Sequence, residues 1–237
     1  FYPLSLVPGQ KSILPGKMTK DKGQVTKDKT PMTNVWKFQG VICRTLTVIL
    51  PASLALGTSS GNAQIIPDNT LGTESSTVTT TEPQVQTIDG GAIRGANLFH
   101  SFSEFNIGEG NSVYFTNPDG IQNIINRVTG ANPSNIFGIL GVSGSANLYL
   151  LNPNGIIFGP NASLDIRGSF LGTTASSLLF ENGIEFSATN PQTPPLLTVN
   201  VPTGLQYNSN PGGIQMQQTQ LELQPNQTLG LAGGRGG

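Results

Sequence analysis

The chain has 237 residues, of which only 11% are charged, with 30 Gly, 17 Pro and a single His, Cys and Trp. That length can bury a core in one or two domains, but so few ionisable side chains leave little material for proton transfer or metal ligation. The net charge of −1 hides an asymmetry: residues 1–63 carry eight basic against two acidic side chains, while residues 64–237 carry four Arg, no Lys and eleven acids. An acidic, lysine-free region is a poor surface for nucleic acid or an anionic membrane, because it supplies few phosphate contacts.

Residues 1–31 show little apolar periodicity and read as disordered, or as lying upstream of the true start, for which Met32 is the first choice and Met18 the second. Residues 32–63 have the order of a secretory signal. Lys37 and Arg44 form a basic region, Thr45–Gly57 an apolar run, and Thr58–Ala63 a small polar stretch ending Gly61-Asn62-Ala63. Cleavage is expected between Ala63 and Gln64. The apolar run contains Pro51 and falls short of the about 20 residues a membrane span needs, so no stable membrane insertion is expected. Cys43 lies in this leader, so residues 64–237 have no disulfide framework.

From about Val85 the sequence becomes a series of short β segments between Gly, Asn and Pro turns. The expected strands are Ala92–Phe99, Ser112–Thr116, Asn123–Val128, Ile136–Val142, Ala146–Leu151, Ile156–Phe158, Ser163–Ile166, Ser177–Phe180 and Ile184–Ser187. The turns repeat. Asn117-Pro118-Asp119-Gly120-Ile121 is echoed by Asn152-Pro153-Asn154-Gly155-Ile156, and more loosely by Asn210-Pro211-Gly212-Gly213-Ile214. In each, Asn can bond to the backbone ahead, Pro presets φ, and Gly closes a type I turn. Short strands with periodic corners imply an all-β solenoid with rungs of about 20 residues, in which Asn, Ser and Thr can form ladders. A β-sandwich is the alternative on pattern alone. Thr228–Gly237 is strand-like and runs into glycines, so a longer passenger is expected beyond it.

The run Ala146–Gly159, ANLYLLNPNGIIFG, resembles the hallmark of the filamentous haemagglutinin N-terminal domain, also called the two-partner secretion domain. Three flanking segments agree in order: Asn97–Phe102, then Asn126-Arg127-Val128-Thr129-Gly130 with Ser134-Asn135-Ile136, and Gly168–Leu171. The resemblance covers residues 64–200 and, more weakly, the rest to 237. One departure is Gly130-Ala131-Asn132-Pro133, where many members have a more glycine-rich turn. The resemblance implies a right-handed parallel β-helix with an N-terminal cap and small extra-helical β elements; the leader before it is expected to be disordered or helical. It implies a secretion module of a large exported adhesin or haemolysin-like protein, which seeds folding of its passenger. It also implies a partner, an outer-membrane β-barrel transporter with periplasmic polypeptide-binding domains, and a secreted or cell-surface location reached through the periplasm. The candidate recognition motif is Asn152, Pro153, Asn154, Gly155 and Ile156. The second motif is Arg127, Val128, Thr129 and Gly130.

Candidate chemistry is sparse. His100 alternates with apolar neighbours and reads as a structural histidine rather than a catalytic base. The rival function is an extracellular β-helical polysaccharide lyase or hydrolase, which would need clustered carboxylates beside cations. Glu104, Glu109 and Asp165 are scattered instead and read as solvated corners. Gly90–Gly95 lacks the Lys-Ser/Thr of a phosphate loop and reads as a turn, and Thr77–Thr81 as a surface strand or linker. No catalytic residue, metal site, cofactor or nucleic-acid partner is expected. An exposed turn bond at Asn152 or Asn154 is expected to contribute only about 1 kcal/mol.

Overall fold

The computed structural model describes residues 63–192 and 195–234, all within one compact unit, Ala55–Gly237. The readings placed on residues 1–62, including Met32, Lys37, Cys43 and Arg44, lie outside the described residues. The strands are β1 (Gln64–Pro67), β2 (Ser76–Glu82), β3 (Val85–Gly90), β4 (Ala92–Arg94), β5 (Asn97–Asn106), β6 (Ser112–Phe115), β7 (Asn123–Val128), β8 (Ser134–Ile136), β9 (Ile139–Val142), β10 (Asn147–Leu151), β11 (Ile156–Phe158), β12 (Ser163–Asp165), β13 (Phe170–Thr173), β14 (Ser177–Leu179), β15 (Glu185–Ser187), β16 (Gly204–Gln206), β17 (Ile214–Met216) and β18 (Leu229–Ala232). The one helical element among the described residues is a 3₁₀ turn, Glu181–Gly183.

These strands wind into a parallel β-solenoid with three faces. The first face stacks β5, β7, β10, β13 and β18 in parallel, the second β8, β11 and β17, and the third β3, β6, β9 and β12. Equivalent positions on the first face are separated by 26, 24 and 22 residues, somewhat longer than the expected rung. The N-terminal end is capped by antiparallel strands: β1 and β4 cover the edge of β5, and β2 folds back on β3. Between β13 and β17 the chain leaves the solenoid and forms an antiparallel sheet, β15-β14-β16.

Side-chain alternation explains why the first face is central. Successive residues of a strand point to opposite sides. Leu98, Ile124, Leu148 and Phe170 share one register column and enter the solenoid core. Phe99, Ile125 and Leu151 point the other way, into a second core closed by Leu178, Phe180 and Phe186 of the extra-helical excursion. Both sides of this face are therefore largely buried along β5 and β7, where Asn97, His100, Ser101, Asn126 and Arg127 are buried beside the apolar side chains. Beside these columns Asn97, Asn123 and Asn147 form a ladder. Asn147 donates to Asn123 at 3.0 Å and Asn123 to Asn97 at 3.0 Å, while Asn97 donates to the carbonyls of Thr198 and Asn200 in the excursion.

Several expected strands are corrected. Ala92–Phe99 is two antiparallel strands, β4 and β5, because Gly95 takes φ +57° and reverses the chain. Ile136–Val142 is broken at Phe137-Gly138, where the chain passes from the second face to the third. Strands β1, β3, β13, β16 and β17 were not among those expected. Thr77–Thr81 lies within strand β2, and Gly90-Gly91 forms a turn with φ +70° and +83°.

Candidate functional site

The corner Asn152–Gly155 leads from β10 on the first face to β11 on the second. Its turn closes as the sequence implies. The amide of Gly155 donates to the Asn152 carbonyl at 3.2 Å, and the amide of Asn154 donates to Asn152 Oδ1 at 3.0 Å. Gly155 has φ +129°, and a Cβ there would stand 3.1 Å from the Gly213 carbonyl oxygen, so both conformation and space favour glycine. Pro153, Gly155 and Ile156 are buried, the last in the solenoid core.

Asn152 is 0% exposed, which corrects the expectation of an exposed turn bond. Its Nδ2 donates to the Asn132 carbonyl and to Ser134 Oγ, both at 3.0 Å, and so ties the corner to the preceding coil. Asn154 is the exposed member of the motif, with Nδ2 donating to the Gly130 carbonyl at 2.7 Å. The Asn117–Ile121 echo has a different geometry. Its backbone bond runs from the Ile121 amide to the Pro118 carbonyl, so the turn is shifted by one residue. Asn210–Ile214 is the closer structural copy, because Ile214 pairs with Ile156 in register and the Gly212 amide donates to the Pro153 carbonyl at 2.8 Å.

Three segments thus stack on successive coils: Gly130–Pro133, Asn152–Gly155 and Asn210–Gly213. With Ala188-Thr189 of the excursion they line a groove of about 540 Å³ that has no charged side chain in its wall. Val128, Thr129 and Gly130 of the second motif lie in that wall.

Arg127 does not reach this groove as a contact residue. It is 1% exposed on the outward side of β7. Nε donates to Ser101 Oγ at 2.9 Å, Nη2 to Thr70 Oγ1 at 2.8 Å and Nη1 to the Ser187 carbonyl at 2.7 Å, with the guanidinium carbon 4.2 Å from the Phe186 ring centre. Burial pushes its pKa down to about 10, against the pull of Asp68, so it stays charged at neutral pH. Asp68 sits close by. Burial favours its neutral form, but hydrogen bonds from Thr129, Thr70 and Ser101 prevail and hold its carboxyl below the usual value. Asp68 was not among the sequence candidates, because only Thr70 among its partners is local, while Ser101 and Thr129 are 33 and 61 residues away.

His100 is fully buried, as its alternation with apolar residues implies. Nδ1 lies 3.0 Å from Ser76 Oγ, and the ring packs against Phe102 and Phe115. Burial pushes its pKa down to about 3, leaving a neutral imidazole. The three carboxylates are held apart by separate partners. Glu104 accepts from Asn106 and Asn132, Glu109 from Asn161, and Asp165 from the Tyr114 hydroxyl. Where the sequence leads one to expect cleavage, Ala63 packs against the solenoid core and Gln64 opens β1 in register with Asn106.

The sequence profile of the TPS secretion domain matches residues 63–237. A heme/hemopexin-binding protein of Haemophilus influenzae strain Rd is 40% identical over 79 residues, 33% of this chain and 8% of that protein. Another heme/hemopexin-binding protein of Haemophilus influenzae is 33% identical over 88 residues, 37% of this chain and 9% of that protein. These matches span less than a tenth of either relative.

Proposed function

The chain belongs to the TPS secretion domain family, and from that premise we propose that residues 64–237 are the secretion and recognition module of a large exported surface protein. A cognate outer-membrane β-barrel transporter with periplasmic polypeptide-binding domains recognises it, and the folded solenoid seeds growth of an adhesin or haemolysin-like passenger outside the cell. The location is secreted or cell-surface, reached through the periplasm after removal of residues 32–63 at Ala63/Gln64. The observation that carries this reading is the family match over residues 63–237. Cleavage after Ala63 leaves β1 whole. The module acts by backbone pairing and surface recognition, without a catalytic residue or cofactor. Its scattered, separately bonded carboxylates favour this reading over a polysaccharide lyase or hydrolase.

Within the module, we assign partner contact to Asn154 and the uncharged groove around it. Asn152, Pro153, Gly155 and Ile156 build the corner that presents it, and Val128–Gly130 form the facing wall. The test is export in the native host of the full protein carrying Asn154→Ala or Asn154→Arg, with thermal unfolding of the purified variants measured in parallel. Export should fall while the melting temperature stays within about 2 °C of the parent, since a 1 kcal/mol loss moves a domain of this size by only a few degrees. Normal export of Asn154→Arg would remove the groove from the recognition surface. Terminal sequencing of exported protein should begin at Gln64.

A further inference from the structure

We propose that Arg127 is a positioning residue that locks the N-terminal cap and the extra-helical excursion onto the first face together. Its three hydrogen bonds reach three separate parts of the chain: Thr70 in the cap, Ser101 in the first coil and Ser187 in the excursion. The bond to Ser187 spans 60 residues and that to Thr70 spans 57. No single neighbour in sequence can replace the water that Arg127 loses.

The counter-charge is arranged to match. Asp68 makes no direct ion pair with Arg127, since Arg94–Glu74 is the ion pair among the described residues. Two hydroxyls stand between the charges instead. Ser101 Oγ donates to Asp68 Oδ2 at 2.9 Å while accepting from Arg127 Nε, and Thr70 Oγ1 donates to Asp68 Oδ1 at 2.6 Å while accepting from Arg127 Nη2. The two hydroxyl oxygens also lie 2.8 Å from each other, so they form one cluster between the carboxylate and the guanidinium. Removing one hydroxyl therefore weakens the setting of both charges. A buried charge left without its partners is strongly unfavourable, so a loosened cap also removes part of the reason for the excursion to stay docked.

The same cluster bears on the groove. Thr129 donates to Asp68 Oδ2 at 2.5 Å, and the next residue, Gly130, supplies the carbonyl that receives Asn154 Nδ2. Arg127 and Asp68 thus help to fix the wall that Asn154 meets. The lock concerns how the domain assembles and stands apart from the export reading.

The test is hydrogen exchange with mass spectrometry on the full chain, comparing Thr70→Val, Arg127→Met and Arg127→Lys with Val128→Ala. Thr70→Val removes a cap hydroxyl and leaves every excursion residue unchanged. It should accelerate exchange about tenfold both at 68–72 and at 185–188, with 147–158 within about twofold of the parent. Arg127→Met should do the same, and Arg127→Lys should not rescue it, because an ammonium cannot reach three partners in the guanidinium's fork. If Thr70→Val accelerates the cap alone, or the whole chain uniformly, the lock is overturned. The same holds if Val128→Ala, a neighbouring core truncation, reproduces the paired pattern. Should Arg127→Met fail to fold, Thr70→Val decides.

Discussion

Asn152 and Asn154 share one turn, yet the first is buried with two donors and one acceptor engaged, while the second faces solvent. Removing the Asn152 side chain leaves the Asn132 carbonyl and the Ser134 hydroxyl without their donor. An unmet buried group costs about 1–3 kcal/mol, so Asn152→Ala should lower stability by about 2–3 kcal/mol, measured by urea unfolding. Asn154→Ala should cost less than about 1 kcal/mol. His100 gives a second test at this scale. Its folded pKa of about 3 lies below the unfolded value of 6.5, so the unfolded chain binds the extra proton between them. Stability from the neutral imidazole is complete above about pH 6.5 and falls as pH drops toward 3, with a slope of up to about 1.4 kcal/mol per pH unit. Asp68 and Glu74 are lowered from ordinary values of 3.8 and 4.5, so their stabilisation is present above about pH 5 and is lost as pH falls below it. The window from about pH 6.5 to 5 therefore belongs to His100, and urea midpoints for His100→Phe should be flatter there. A slope unchanged in that variant would assign it to other groups.

Between coils, large side chains lie over glycines on the next turn. Tyr114 crosses Gly141 to reach Asp165, and a Cβ on Gly141 would stand 2.3 Å from the Tyr114 ring. Phe137 covers Gly159 in the same way, at 2.4 Å. Gly141→Ala should cost about 1–3 kcal/mol by overpacking, and the cost should largely vanish in a Tyr114→Ala background, a coupling that a double-mutant cycle measures. These straps were hard to read because Tyr114 and Gly141 are far apart in sequence and chemically ordinary. The Asn ladder was legible in principle. Asn97-Leu98, Asn123-Ile124 and Asn147-Leu148 recur at nearly the rung length, and the stacked Asn-Pro corners gave the solenoid and the Asn152 turn directly. The misread Ala92–Phe99 strand shows the limit. Apolar residues stand on both sides of Arg94–Asn97, so composition alone did not mark the reversal that Gly95 allows. Asp68 was illegible because its role depends on residues brought beside it only by the finished fold.

A solenoid whose coils touch only their neighbours unfolds like a one-dimensional stack, one rung at a time. Here the excursion lies across several coils at once. Phe186 and Phe180 stand 5.1 and 6.1 Å, centre to centre, from Phe99 of the first coil, and the same cluster takes in Ile125 and Leu151 from the next two. Asn97 holds the far end of the excursion through Thr198 and Asn200. The first face is thus shared by two cores, and losing either exposes it. The domain should therefore unfold in one transition, with far-ultraviolet circular dichroism and tyrosine fluorescence coinciding in urea. Phe99→Ala opens the outer core and Phe102→Ala the inner, and each should lower the stability of the whole by about 3–5 kcal/mol without separating the two probes. If Phe99→Ala produces an early transition in which fluorescence changes while the β signal persists, the excursion is an independent lid. The coils beneath it would then be a nearest-neighbour stack.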